Sequence, residues 1–151
     1  MCFGGNENEL KDKRSINSLI NLRYMGYISH TRAMQIMKTV DVLLMPYQKS
    51  VSIGAEGHDT AGWMSPMKMF EYMATGLPII SSDLPVLKEI LKDGENSILV
   101  PPDDINCWVK ALDKVLNNAS LAEKIGACAH QEYKENYTWT KRAARLIEII
   151  E

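Results

Sequence analysis

The run Ser65-Pro66-Met67-Lys68-Met69-Phe70-Glu71-Tyr72-Met73-Ala74-Thr75-Gly76 carries the residue types of a helix whose first turn receives phosphate. Ser65 is a good N-cap, and Pro66 suits the first helical position. The amides of Met67 and Lys68 then have no partner within the helix. They point at an incoming anion, which the helix dipole also favours. Lys68 adds a full positive charge in the same turn. Glu71 follows three residues later on a neighbouring stripe. Gly76 and Pro78 end the helix and open an apolar strand at Ile79-Ile80. An anion site, an adjacent acid and a strand-loop-helix setting suggest a nucleoside diphosphate ligand. The same residues also describe an ordinary capped helix with a surface Lys–Glu pair, an interaction worth little by itself.

The elements that would position this run alternate between short apolar runs and amphipathic segments. Met1-Cys2-Phe3 reads as the end of a strand, turned by Gly4-Gly5. Glu7 to Leu22 has helical tendency, and Leu22 to Tyr27 can form a strand closed by Gly26. Ser29 can cap a helix from Thr31 to Thr39, with Ala33, Ile36 and Met37 on one face. Val40 to Met45 suits a parallel strand buried on both faces, ended by Pro46. From Tyr47 to Met64 the chain is irregular, and a connection of that length is usually functional or mobile. After the Ser65 helix come a strand at Pro78–Ser82, a helix from Pro85 to Leu91, a turn at Asp93-Gly94-Glu95-Asn96 and a strand at Ser97–Val100. Three helices follow, capped by Asp104, Ser120 and Thr138. Their apolar faces are Trp108, Leu112, Val115 and Leu116; then Leu121, Ile125 and Tyr133; then Ala143, Leu146, Ile147 and Ile150. Five strands alternating with helices predict an α/β fold, a Rossmann-like parallel sheet with flanking helices. Ligands of such sheets sit at the carboxyl ends of the strands. The long loop after Met45 and the Ser65 helix both lie at that end.

Composition narrows the function classes. A chain of 151 residues with 46% hydrophobic side chains fits one domain with a real core. Lys and Arg number 17 against 19 for Asp and Glu, so there is no basic excess to hold a nucleic-acid backbone. Cys2, Cys107 and Cys128 form no CxxC pair, and His30, His58 and His130 lack ligand spacing. No disulfide framework or metal site is expected, and a reducing, cytoplasmic setting fits. No apolar run reaches a transmembrane length, and Met1 opens on no signal peptide. His58, Glu56 and Asp59 read as residues of a polar loop. His130 reads as a surface residue, Trp108 and Trp139 as helix anchors, and Met67, Met69 and Met73 as core filling. Trp63 suits either stacking on a ligand or packing beneath the helix.

The segment from Asp41-Val42-Leu43-Leu44-Met45-Pro46-Tyr47 through Val100-Pro101 resembles the C-terminal, donor-binding domain of a family 4 retaining glycosyltransferase with the two-domain GT-B fold. SPMKMFEYMATGLPIISSDLPVLKEIL is similar to one version of that family's donor motif, the SPxKxFEYMA type. Gly26-Tyr27-Ile28, Asp93-Gly94-Glu95-Asn96 with Ile98-Leu99-Val100, and Tyr137-Thr138-Trp139 with Arg142-Ala143 match flanking pieces. The resemblance implies one partial nucleotide-sugar-binding domain over 1–151, with an α/β core over 1–102 and C-terminal helices over 103–151. It implies that Ser65 opens the helix whose Met67 and Lys68 amides contact the donor diphosphate. Glu71 then holds the ribose hydroxyls, and the backbone near Tyr27 and Ile28 flanks the base. The family's first glutamate falls on Trp63; Glu56 or Asp59 are the acids in the preceding loop that could replace it. No catalytic residue is assigned.

The resemblance further implies transfer of a sugar from a nucleoside diphosphate sugar to an acceptor hydroxyl, with retention and without a metal. Polysaccharide or glycolipid assembly is the implied setting. Complete donor domains begin one strand and one helix earlier, with an Arg and a Lys that stabilise the leaving diphosphate. The chain therefore looks N-terminally truncated, its first strand missing. An acceptor domain or partner subunit would supply the rest, together with any peripheral membrane association. Residues 1–151 alone are then expected to bind donor weakly, if at all, and not to turn over; sugar transfer by the pure chain would overturn that. Two other classes stay open: a non-catalytic nucleotide-sugar-binding or regulatory module (or an inactive fragment), and a flavodoxin-like interaction domain.

Overall fold

The computed structural model describes residues 21–49 and 66–150. The expected strand at Met1–Phe3, the helix from Glu7, and Ser65, Glu56, His58, Asp59 and Trp63 lie outside the described residues. The chain divides into two compact units, Met1–Thr39 and Val40–Glu151.

In the first unit, Leu22–Tyr27 does not form the expected strand; Tyr24 makes a single bridge. Gly26 has φ 78°, which turns the chain out of the extended path. Helix α1 (His30–Met37) is capped by Ser29, whose side chain accepts from the Arg32 amide at 3.3 Å. It stops two residues before the expected Thr39. The Thr39 amide and hydroxyl both turn back onto the Ile36 carbonyl, at 2.9 and 2.8 Å.

The second unit runs β1 (Leu43–Met45), α2 (Met67–Thr75), β2 (Ile79–Ser82), α3 (Pro85–Lys88), β3 (Ile98–Val100), α4 (Ile105–Leu116) and α5 (Ala119–Glu132). A π-helical turn at Tyr133–Tyr137 then leads into α6 (Trp139–Ile150). The three described strands are parallel in the order β1-β2-β3. Leu43 pairs with Ile79, and Ile80 with Ile98. The period of two sends Ile79 and Ile80 to opposite faces. Ile79 joins Met45, Met69, Met73 and Leu87 on one side, and Ile80 joins Val100, Ala111, Val115 and Ile125 on the other. Helices therefore cover both faces of β2, which is buried along its whole length. The fold is α/β with a parallel sheet and flanking helices, as the alternation predicts. Strand β1 is not buried on both faces, since Leu44 is 39% exposed.

Local chemistry explains where boundaries differ from expectation. Helix α3 ends at Lys88 rather than Leu91. The Ile90 and Leu91 amides both fold onto the Leu87 carbonyl, and the Asn96 side chain takes over the chain beyond. Helix α5 is capped by Asn118, not Ser120, with Asn118 Oδ1 accepting from the Leu121 amide at 3.0 Å. Asn and Ser cap equally well, so propensity could not separate them. Asp104 caps α4 by accepting from the Cys107 amide at 3.1 Å, as expected. Thr138 Oγ1 accepts from the Lys141 amide at 3.3 Å at the start of α6. The expected apolar face of α6 is not buried: Leu146, Ile147 and Ile150 are exposed, as is Leu116 of α4. Trp139 is 72% exposed and is not a buried anchor.

Asn96 ties the turn at Asp93–Asn96 to α5. Its Nδ2 donates to the Ile90 carbonyl at 3.0 Å and to Glu132 Oε2, while its Oδ1 accepts from the Lys92 amide at 2.7 Å. Lys92 completes the network with an ion pair to Glu132 at 2.6 Å. Because Asn96 is fully buried, Asn96→Ala strands these partners and should cost about 2 kcal/mol in denaturant unfolding. Asn96→Asp should cost more at neutral pH, because it sets a second carboxylate against Glu132. Part of that loss should return as the pH falls and one carboxyl takes a proton.

Candidate functional site

Helix α2 starts one residue later than the sequence predicts. Pro66 is its N-cap, with φ −71° and ψ 113°, and Met67 is its first residue. Proline's locked φ serves the cap position as well as the first helical one, which accounts for the shift. Pro66 makes no side-chain cap hydrogen bond. The Met69 amide reaches the Pro66 carbonyl at 3.0 Å, the first hydrogen bond of this turn among the described residues. The amides of Met67 and Lys68 precede it, at the positively polarised end of the helix. Lys68 is exposed and Met67 is 65% exposed, so Met67 is not core filling. Met69 and Met73, on the opposite stripe, are 1% and 0% exposed and anchor the helix in the core. Glu71 is half-buried on the next turn.

The parallel order of β1 and β2 puts the start of α2 at the carboxyl ends of the strands. There Ser82 Oγ donates to the Tyr47 carbonyl at 2.7 Å and pins the chain leaving β1 to the end of β2. Asp83 donates its amide to the Val100 carbonyl at 2.8 Å and pairs with Lys88 at 2.9 Å. Lys49 pairs with Asp103 across the same end. Burial pushes the Tyr47 phenol up, and burial with the nearby charges of Tyr47 and Glu71 does the same for Tyr72. Both shifts favour the protonated phenol. The Ser82–Tyr47 pin was not read from the sequence. Its signal is the Ser81-Ser82 pair closing a strand that is otherwise apolar.

The far end of α2 is equally determined. Gly76 caps it in the left-handed region with φ 74°. Gly126 of α5 packs directly on that cap; a Cβ there would lie 2.0 Å from the Gly76 carbonyl oxygen. His130, one turn further along α5, lies beside Gly76 and is half-buried rather than a surface residue. Its Nδ1 is sealed from solvent without a hydrogen-bond partner among the described residues. Tyr27 and Ile28 belong to the first unit, where Tyr27 is 85% exposed and Ile28 half-buried.

Other reactive groups point elsewhere. The Cys107 thiol donates to Asp104 Oδ2 at 3.2 Å. That hydrogen bond, with the Cys107 amide, holds the Asp104 carboxyl below the usual carboxylate range. It also holds the Cys107 thiol above its ordinary value. The Cys107 thiol is thus engaged with the Asp104 cap of α4. Among the described residues, no group of three or more His, Cys, Asp or Glu could hold a metal ion. No described helix is long and apolar enough to cross a membrane.

Residues 1–118 match the family described as glycosyl transferases group 1. The phosphatidyl-myo-inositol mannosyltransferase of Mycobacterium leprae is 28% identical over 147 residues, covering 97% of this chain and 36% of that protein. Among solved structures, Anabaena Alr3699/HepE in complex with UDP superposes with a TM-score of 0.76 at 13% identity. It covers 98% of this chain and 39% of that one. The C-terminal domain of a glycosyl transferase group 1 family protein (LpcC) from Francisella tularensis gives 0.65 at 19% identity, covering 88% and 63%. The chain spans about a third of the length of the curated relatives it matches.

Proposed function

The chain belongs to the glycosyl transferases group 1 family, and on that footing we propose that it is the donor-binding part of a retaining sugar transferase. The donor is a nucleoside diphosphate sugar. The amides of Met67 and Lys68, with the Lys68 ammonium, receive the diphosphate. Glu71 accepts hydrogen bonds from the ribose hydroxyls, a task suited to a carboxylate. Helix-end amides and a lysine neutralise the departing diphosphate without a metal. In a single-displacement route to retention the acceptor hydroxyl attacks from the leaving-group side, and an acceptor-binding domain closing over this one would bring it there. Ser65 and the backbone of Tyr27 and Ile28 are assigned to the donor by the sequence motif alone.

One observation carries the reading. Helix α2 begins at Pro66, which makes no side-chain cap hydrogen bond, and carries exposed Lys68 in its first turn, at the carboxyl end of a parallel sheet. The rest of the helix is anchored by Met69 and Met73. The mannosyltransferase relative and the UDP-bound neighbour support a nucleotide-linked sugar as the ligand class. A ligand that binds only the folded chain raises its unfolding midpoint by mass action. At least one of UDP, GDP, ADP and CDP should therefore raise the midpoint in a concentration-dependent way, and the matching nucleoside should not. A midpoint that stays flat with all four at millimolar concentration would sink the proposal.

A further inference from the structure

We propose that Arg142 is a positioning residue: from α6 its guanidinium clasps Phe70 and so steadies the first turn of α2, on which the Met67 and Lys68 amides and Glu71 stand. The Arg142 Cζ lies 5.4 Å from the Phe70 ring centroid and 5.5 Å from that of Trp139. Both distances are within the range of cation–π attraction. Phe70 also meets Tyr137 at 5.3 Å with the rings tilted by 47°. One aromatic partner thus comes from α2 and the others from the segment that carries Arg142. Trp139 is too exposed to be held for its burial. It stands one turn before Arg142 on the same helix, where side chains three apart are neighbours, and it backs the guanidinium against Phe70. The start of α6 is itself secured, since the Arg142 amide donates to the Thr138 carbonyl at 3.0 Å.

The clasp acts where α2 needs it. Met69 and Met73 bury one stripe of the helix, whereas Met67, on another side of the first turn, is largely exposed. The first turn is the part of α2 prone to fray. A helical side chain leans toward its own N-terminus, so Phe70 leans over the first turn of α2. Phe70 is also the chain neighbour of Glu71. A planar guanidinium stacks on a ring face in a way that an ammonium does not. The bearing on ligand binding rests on the donor-site reading above; the effect on α2 does not.

Amide hydrogen exchange of the ligand-free chain tests the inference, with Arg142→Leu, Arg142→Lys and Trp139→Ala beside the wild type. Arg142→Leu should speed exchange at Phe70 and Glu71 about two- to fivefold, the loss of one partly exposed cation–π contact. Exchange in α4 should stay at the wild-type rate. Arg142→Lys should fall between the two, and Trp139→Ala should move in the same direction as Arg142→Leu. In the same variants nucleoside diphosphate affinity should drop by a similar factor. Unchanged exchange at Phe70 and Glu71, or equal acceleration in α4, would overturn the proposal. Should the wild type respond to no nucleoside diphosphate, the donor-site reading falls, and the α2 exchange rates still decide the role of Arg142.

Discussion

Gly126→Ala should lower the stability of the chain by about 3 kcal/mol, the upper range for overpacking a close contact. In a domain near this size that lowers the unfolding midpoint by roughly 10 °C. The added Cβ would meet the Gly76 carbonyl oxygen at 2.0 Å and the Gly76 carbonyl carbon at 2.8 Å. Both atoms are backbone, so no side chain can swing away, and α5 must lift off the C-terminal cap of α2. Ile125 and Ala129 flank the contact and are fully buried in the two cores, so the lift disturbs both. Gly76 makes a useful contrast. A Cβ there meets nothing closer than His130 at 3.8 Å, and the cost of Gly76→Ala is the left-handed backbone alone, about 1 kcal/mol. Gly76→Asn should cost less than Gly76→Ala, because asparagine tolerates that conformation, whereas Gly126→Asn should be at least as damaging as Gly126→Ala. Equal effects of alanine at the two glycines, read by thermal unfolding, would contradict this account of the junction.

Glu71→Gln should weaken nucleoside diphosphate binding about ten- to a hundredfold, the loss of hydrogen bonds to a charged acceptor. The substitution preserves the size of a half-buried side chain, so the unfolding midpoint should move far less than the affinity. The variant should also lose its preference for a ribonucleotide over the 2′,3′-dideoxy analogue, because the ribose hydroxyls are what Glu71 is proposed to hold. Lys68→Met acts on the other half of the ligand. Lys68 is exposed, so its removal should cost up to about fivefold at low salt. That loss should shrink as salt rises, while the ribose preference stays. If Glu71→Gln and Lys68→Met instead changed the same preference by the same factor, the division of roles along α2 would be wrong.

Much of the fold was legible because two periodicities dominate it. The apolar pair Ile79-Ile80 between Gly76 and Ser82 marks a doubly buried strand, and its neighbours in the sheet share the apolar character. The caps at Ser29, Asp104 and Thr138 were legible because short polar side chains precede periodic helices there. What was not legible depends on distant partners. The early end of α3 follows from Asn96 reaching back to Ile90 and Lys92. The exposure of Met67 follows from which side of α2 meets β1 and β2, a fact its residue type does not contain. Glycine is a poor helix former, and only the approach of Gly76 gives Gly126 a reason. Of the site, the first turn of α2 was visible from Pro66, Lys68 and Glu71. The Ser82–Tyr47 pin and the Arg142–Phe70 clasp join residues far apart in the chain and leave no local pattern.

The central claim is that the first turn of α2 holds the diphosphate of a nucleotide-linked sugar. An amide-resolved NMR titration of the chain with UDP, GDP, ADP and CDP, each beside its nucleoside, addresses it most directly. The account predicts that at least one diphosphate shifts the Met67 and Lys68 amides saturably while its nucleoside leaves them in place. Lack of any shift at Met67 and Lys68 with all four diphosphates at millimolar concentration, or equal shifts with the nucleosides, would contradict it.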